Sequence, residues 1–409
     1  MAMSHSKKPQ LNVICLATYF KGAEFVRECK AQGCKTTLIT KEKMLAEDWP
    51  RDSLDDLIAL PNDATPDLFI HLVSMLARQT RVDRIVALEE FDVITAGLLR
   101  EHLCLGGMNA TTARLFRDKL AMSIEAKRAG IRVPDFVSLI NHDEVNEFIA
   151  RVSPPWIIKP RSDVSAIGIR QVQQAETVWQ SIDELDGRER LRERSPHYLL
   201  AQFIAGEVFH VDSLVKNGRV IFSGANQYGR PPMVVAHQGG AYVSHTVAHG
   251  SNDEQELFAK NGKLIETLGL EHGAAHAEFI KSSADGEYYF LEIAARVGGA
   301  YIAEVLEAAS GINLWREWAK IEVLEEPWTR IKPLRNEYAG IVLSLAKQEY
   351  PDTSGYSDPE IVYRVKKRHH VGLIVCSERL ERVTQLLDQY ADRFANDFVA
   401  VVPPLQRPE

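Results

Sequence analysis

The stretch His276 to Arg296 is built symmetrically around Asp285, and that symmetry dictates its fold. Two β-rich apolar segments, 276 to 280 and 288 to 293, flank the polar, glycine-containing run Ser282 to Gly286, so the chain is expected to turn back as an antiparallel hairpin. With the register centred near Asp285, residues whose numbers sum to 570 face each other, which sets Glu278 opposite Glu292 on one face. Two carboxylates roughly 5 Å apart repel by about 3 kcal/mol at an effective dielectric of about 20. A divalent cation would offset that cost, and an oxygen-only pair with few protein ligands suits Mg²⁺ carried on nucleotide phosphates better than zinc. The alternative is a pair solvated on an exposed face, or one glutamate protonated.

The 409 residues are long enough for two or three domains, and 25% charged residues with 45% hydrophobic ones fit an ordinary soluble globular chain. A formal net charge of −8 gives no support to a sequence-independent grip on nucleic acid, which leaves small-molecule chemistry as the expectation. Five cysteines (Cys15, Cys29, Cys34, Cys104, Cys376) are an odd number without metal-type spacing, consistent with thiols in a reducing compartment. The apolar run Leu11 to Ala17 is too short to span a membrane and lacks a cleavage site, so the expectation is a cytoplasmic protein with no membrane partner. A homodimer is left open.

From Leu11 to about Met108, strand and helix patterns alternate: Leu11 to Thr18, Glu24 to Gln32, Lys35 to Thr40, Leu57 to Leu60, Pro66 to Gln79, Arg84 to Glu89 and Asp92 to about His102. Such alternation argues a parallel sheet covered by helices. Thr18-Tyr-Phe-Lys-Gly22 is not a Gly-x-Gly-x-x-Gly fingerprint, so a nicotinamide or flavin site is not supported. One helix is expected from about Thr111 to Arg128, then strands at Phe136 to Leu139, Trp156 to Pro160, Tyr198 to Ile204 and Phe209 to Val215, with Lys216-Asn-Gly218 as a hairpin turn. Beyond Leu334, Tyr338 to Ala346, Val362 to Lys366 and His370 to Cys376 read as strands and Leu380 to Phe394 as an amphipathic helix.

Lys159 lies inside the apolar strand Trp156-Ile-Ile-Lys-Pro160, where a cation needs an anion or must snorkel to the sheet edge. A phosphate at the next loop would serve, with backbone N–H groups of Ser162 to Gly168, Ser165 and Gly168 among them, as further donors. Lys119, in Phe116-Arg-Asp-Lys-Leu120, sits on a helix where lysines are usually solvated. Leu200-Ala-Gln-Phe-Ile-Ala-Gly-Glu207 is an apolar strand broken by a turn, able to offer the backbone of Gln202, Phe203 and Ile204 to a planar base and Glu207 to ribose hydroxyls. Arg296-Val-Gly-Gly299 follows the second glutamate, so a guanidinium and the backbone of Gly298 and Gly299 could meet charge developing on a transferring group.

Taken in order, Arg117-Asp-Lys119, Ile158-Lys-Pro160, Gly206-Glu207, Glu278 and Glu292-Ile-Ala-Ala-Arg-Val-Gly-Gly299 resemble the ATP-grasp superfamily over about residues 11 to 330, and within it most resemble the stand-alone carboxylate-amine ligases. The resemblance implies a mixed α/β and α+β chain: a parallel α/β pre-ATP-grasp domain over 1–108, a two-lobed ATP-grasp domain with antiparallel sheets over 109–333 (lid about 135–204, large lobe about 205–333), and a small α+β C-terminal subdomain over 334–409. It also implies ATP and Mg²⁺ as cofactors, with Mn²⁺ as a substitute. Lys119 and Lys159 would then contact phosphates, residues 202 to 204 adenine and Glu207 ribose, while Glu278 and Glu292 bind the metal. Ala294 departs from the pattern, since many members carry a metal-binding Asn there.

The implied activity is ATP-dependent amide formation: a carboxylate is activated as an acyl phosphate and captured by an amine, with Arg296, Gly298 and Gly299 at the reacting centre. The acceptor pocket is expected within Asn226 to His245, including Arg230, His237, Gln238 and Gly239-Gly240. Carboxyphosphate chemistry of the biotin-carboxylase or carbamoyl-phosphate type, and a nucleotide-binding regulatory module without turnover, are the alternative readings.

Overall fold

A computed structural model describes residues 10–163, 168–233, 235, 240–325 and 330–398. The alternating N-terminal pattern forms four parallel strands, Asn12–Leu16 (β1), Lys35–Lys41 (β2), Asp56–Leu60 (β3) and Arg84–Ala87 (β4), in the order β3-β2-β1-β4. Helices Ala23–Ala31 (α1), Pro66–Gln79 (α2) and Val93–His102 (α3) connect or follow them. Strand order reverses between β1 and β4, and at such a switch point the loops beyond the strand ends part to leave a crevice. Here those loops are 17–22 and 88–92, stitched by the Thr18 N–H donating to Asp92 at 2.7 Å.

The single helix expected over 111 to 128 is two helices, Ala110–Arg114 (α4) and Lys119–Arg128 (α5). Asp118 makes the break: its backbone is extended and its carboxylate caps α5 by accepting from the Leu120 and Ala121 N–H groups. Four antiparallel strands follow, Phe136–Ser138 (β5), Trp156–Pro160 (β6), Arg170–Val172 (β7) and Tyr198–Gln202 (β8), in the order β5-β8-β6-β7. Helices His142–Arg151 (α6) and Ala175–Asp186 (α7) cover them, and Phe148, Trp156, Ile158, Val178, Ile182 and Leu200 enclose a core of their own.

The third sheet carries Gly206–Lys216 (β9), Arg219–Tyr228 (β10), Tyr242–Thr246 (β11), His272–Ser282 (β12), Tyr288–Ala294 (β13), Tyr338–Leu345 (β14), Ile361–Arg364 (β15) and His370–Ser377 (β16), in the order β13-β12-β9-β10-β11-β14-β16-β15. The β9–β10 turn is Asn217-Gly218, both at positive φ (53° and 70°), the conformation that the right-handed twist of a hairpin requires. Helices Asn252–Leu268 (α8), Ile302–Ser310 (α9), Leu314–Val323 (α10) and Leu380–Asp397 (α11) pack around this sheet. Phe25 of α1 meets Trp318 of α10 with ring centroids 5.2 Å apart, and both lie in one core with Leu214 and Ile221, so the first sheet and the third share an interior.

The fold class is thus the mixed one expected, one parallel sheet and two antiparallel ones. Besides the split helix, two details differ from the sequence reading. Tyr242 to His245, expected in an acceptor loop, belong to β11, because Tyr242 to His245 pair with Gly340 to Leu343 of β14; His237, Gln238 and Gly239 of that loop lie outside the described residues. The strands beyond 334 lengthen the third sheet, with α11 laid on them through Leu386, Leu387 and Tyr390. No helix among the described residues is long and apolar enough to cross a membrane.

At Gly340 an added Cβ would lie 2.5 Å from Leu387 of α11 and 2.9 Å from both the His245 Cβ and the Ser244 carbonyl oxygen. Gly340→Ala should therefore cost about 1–3 kcal/mol by overpacking, and thermal unfolding should remain one transition because the strands concerned are continuous with the rest of the sheet. A separate early transition for the C-terminal helix would contradict that continuity.

Candidate active site

The register of the β12–β13 hairpin places Glu278 directly opposite Glu292, with Ala277 facing Ile293 and His276 facing Ala294. Past Glu278 a bulge shifts the pairing by one, so that Phe279 faces Phe290. The two carboxylates form part of the wall of a cleft of about 540 Å³, whose lining includes Lys119, Lys159, Gln202, Phe203, Ile204 and Arg296. The cleft lies where the second sheet meets the third. One oxygen of each carboxylate has protein partners. Glu292 Oε2 lies 2.8 Å from Lys119 Nζ, while Glu278 Oε1 accepts from the Tyr228 hydroxyl at 2.7 Å and lies 3.5 Å from His276 Nε2. Burial pushes Glu278 up, but His276 and Tyr228 outweigh it and hold the group below the usual carboxylate range. The remaining oxygen of each glutamate has no protein partner among the described residues, and two free carboxylate oxygens on facing strands fit a hard divalent cation. Ala294, opposite His276, offers no side-chain ligand.

Lys119 is not the solvated surface lysine its helix suggested. As the first residue of α5 it is 5% exposed, and besides Glu292 its ammonium donates to the Asp163 carbonyl at 2.7 Å. Lys159 projects from β6 into the cleft; burial, with Lys119 as a like charge nearby, lowers it to about 8 despite the attraction of Glu292 and Glu278. It makes no ion pair within 4 Å among the described residues, so a half-buried cation is left facing the cleft.

Arg296 reaches the cleft wall fully committed on one side. Its Nε and Nη2 donate to Glu90 Oε2 at 3.0 and 2.9 Å, and the other oxygen of Glu90 takes Arg117. Glu90 lies at the switch-point end of the first sheet, so one carboxylate ties that sheet to the linker before α5 and to the loop after β13. Burial opposes its charge, but Arg296 and Arg117 hold it at about 2. Sequence reasoning missed Glu90; the available signal was an acidic pair, Glu89-Glu90, immediately after an apolar strand.

The other sequence candidates divide. Gly299 lines the cleft, as do Ala300 and Ile302 of the turn into α9, and Ala300 and Tyr301 both hold positive φ (51° and 62°), a strained conformation for residues with a Cβ. Gly298 instead packs behind the glutamates: a Cβ there would lie 2.6 Å from Asp212 Oδ1 and 3.1 Å from His276 Nδ1. Glu207 is exposed at the start of β9 and does not line the cleft. Gly168 holds a φ of 72° with Pro160 and Tyr198 beside it, and Ser165 lies outside the described residues.

Glu90→Gln would leave two buried guanidinium groups sharing an amide, so it should destabilise the fold by about 3 kcal/mol or more at neutral pH. Because the folded-state group is depressed, its contribution is complete above the usual glutamate value of 4.5 and is lost as pH falls through about 2. Denaturant titrations should therefore show the wild-type advantage shrinking across that window; a constant difference would contradict the pairing.

Residues 152–304 match the family model described as an ATP-grasp domain. An L-arginine-specific L-amino acid ligase from Bacillus subtilis is 25% identical over 254 residues, which cover 62% of this chain and 60% of that protein, so the alignment spans somewhat less than two thirds of the relative. The fold is shared more widely. An L-amino acid ligase from Bacillus licheniformis superposes with a TM-score of 0.74 at 17% identity over 97% of this chain and 99% of that one. An N5-carboxyaminoimidazole synthetase from Staphylococcus aureus complexed with ADP gives 0.70 at 16% identity over 96% and 99%. The segment that matches the ATP-grasp model runs from just after α6 through the lysine strand and both glutamates into α9.

Proposed function

We propose that this chain is an ATP- and Mg²⁺-dependent ligase that activates a substrate carboxylate as an acyl phosphate and joins it to an amine. The observation that carries the reading is the opposition of Glu278 and Glu292 in a cleft that also presents Lys119 and Lys159. Two acids with one buried and one half-buried cation at one place form a site for a polyanion together with a divalent cation. Amino acids are the proposed substrates, in keeping with the name of the Bacillus subtilis relative.

Lys159 and Lys119 would neutralise phosphate oxygens, and Mg²⁺ held by Glu278 and Glu292 would supply further charge compensation on the transferring group. Adenine would stack in the apolar end of the cleft, where Ile157, Phe203, Ile280 and Leu291 line the wall, and bond to the backbone of Gln202 to Ile204. A ribose contact from Glu207 requires its exposed side chain to turn toward the cleft mouth. The substrate carboxylate attacks the γ-phosphate, giving the acyl phosphate and ADP; the amine then adds to the acyl carbon and phosphate leaves. Arg296, oriented by Glu90, would face the negative charge in both steps, with the backbone at Gly299 beside it. The segment around β5–β8 would act as the lid over the nucleotide, and the third sheet would carry the metal pair.

A phosphate-release screen of amino acids, singly and in pairs, with mass spectrometry of the products, tests the reading. ADP formation should depend on a carboxylate substrate, and a condensed product should appear only with an amine; ADP formation with bicarbonate alone, indifferent to every amine, would replace the ligase with carboxyphosphate chemistry. Glu292→Gln removes the like charge facing Glu278 but also the carboxylate paired with buried Lys119, so the protein should stay folded while turnover falls at least about 100-fold, the effect of losing a charged partner of the transferring group.

The pH dependence follows from Lys159. Free, it holds its proton only below about 8, and a bound phosphate favours the protonated form, so nucleotide affinity should be level below pH 8 and decline as pH rises beyond it. Lys159→Arg, whose side chain keeps its charge, should flatten that decline in a calorimetric titration; an unchanged slope would remove Lys159 from the phosphate site.

A further inference from the structure

Behind the glutamate pair lies a buried chain of polar side chains that the proposed reaction does not use. Asp212, in the middle of β9 and fully buried, receives two imidazoles on separate oxygens: His210 Nδ1 lies 2.6 Å from Oδ2 and His276 Nδ1 lies 3.0 Å from Oδ1. His210 Nε2 is engaged in turn by the Ser244 hydroxyl of β11 at 2.8 Å. At the other end His276 Nε2 points to Glu278 Oε1, which the Tyr228 hydroxyl of β10 also holds. The sheet register builds this line, since Asp212 pairs with His276 and His210 pairs with Glu278 across the β9–β12 ladder.

We propose that Asp212 and His276 are positioning residues for Glu278, an inference that rests on the metal-binding reading of the glutamate pair. A carboxylate and an imidazole with no exposure, beside a second imidazole only 7% exposed, are costly to bury, and packing alone would be served as well by apolar side chains. What the chain accomplishes is specific: it fixes one oxygen of Glu278 from two sides, so that the other faces the cleft. Glu292, by contrast, is held by Lys119 alone and its side chain is 34% exposed, against 18% for Glu278. One ligand is therefore rigid and the other adaptable. Gly298 belongs to the same device, because its missing Cβ is what lets the loop after β13 close over Asp212 and His276. His210, Asp212 and His276 are also near enough together to suggest a metal cage of their own, but both nitrogens of His210 already have partners, Asp212 and Ser244.

ADP binding measured by calorimetry, with Mg²⁺ and with chelator, tests the proposal through the ratio of the two affinities, which reads the metal ligands apart from general damage to the cleft. Asp212→Asn and His276→Leu should each reduce that ratio by about 10- to 100-fold, the range seen when groups that orient metal ligands are removed, while affinity without Mg²⁺ stays close to wild type. His276→Gln, which keeps a donor toward Glu278, should recover part of the loss, and it carries the comparison with His276→Leu if Asp212→Asn does not fold. A wild-type ratio in both His276 variants would overturn the positioning role. A wild-type protein whose ADP affinity ignores Mg²⁺ would instead remove the metal-binding reading beneath it. One equivalent of tightly held zinc in the purified protein, lost in His210→Ala, would overturn the proposal in favour of a structural metal.

Discussion

Two like charges forced together by strand register are the constraint around which this molecule is arranged. Glu278 and Glu292 face each other because the β12–β13 hairpin leaves them no other relation, and the repulsion must be met by neighbours. Lys119 meets it on one side, Tyr228 and His276 on the other, and Lys159 adds a half-buried positive charge across the cleft. Every one of these partners comes from a different part of the chain. The first turn of α5, the strand β6 of the second sheet and the strands β10 and β12 of the third converge on a single pair of carboxylates, so the geometry of the cleft and the packing of the sheets are one problem.

Glu90 solves the matching problem for positive charge. Arg117 and Arg296 approach from the two segments that border the cleft, and a single buried carboxylate from the end of the first sheet holds both. In a low-dielectric setting this arrangement is stable only while all three members are present, which makes the first sheet a structural part of the site although it contributes none of the cleft lysines or facing acids. The shared core of Phe25, Trp318, Leu214 and Ile221 fastens the same two sheets from behind. The second sheet, with its own core, touches this assembly through charged contacts such as Arg161 with Asp118 and Lys119 with the Asp163 carbonyl.

Much of this was legible in the sequence wherever local chemistry is strong. The period-2 pattern around Asp285 sufficed to set Glu278 against Glu292, and Asn217-Gly218 marked its hairpin without ambiguity. The parallel order of the first sheet followed from alternation of strand and helix. What stayed hidden depended on partners distant in sequence. Nothing local distinguishes Lys119 from a surface lysine, because its burial comes from Glu292 and Asp163. Glu90 acquires its role from Arg296, 206 residues later. Tyr242 to His245 read as a polar loop since their β-pairing partners lie beyond residue 339, and Gly298 read as a donor of backbone N–H groups when its reason for being glycine is the Asp212–His276 contact beneath it. Helices α8 and α10 did carry local signals that went unread: Ser251 with Glu254 begins α8 and Gly269 ends it, and Asn313 caps α10.

The central claim is that the facing glutamates share a divalent cation carried with a nucleotide. It is tested most directly by a crystal structure with Mn²⁺ and a non-hydrolysable ATP analogue, using the anomalous signal of the metal to place it without reference to the model phases. The account predicts a peak between Glu278 and Glu292, about 2.1 Å from an oxygen of each, with phosphate oxygens completing the coordination. An ordered nucleotide whose metal touches neither glutamate would contradict it.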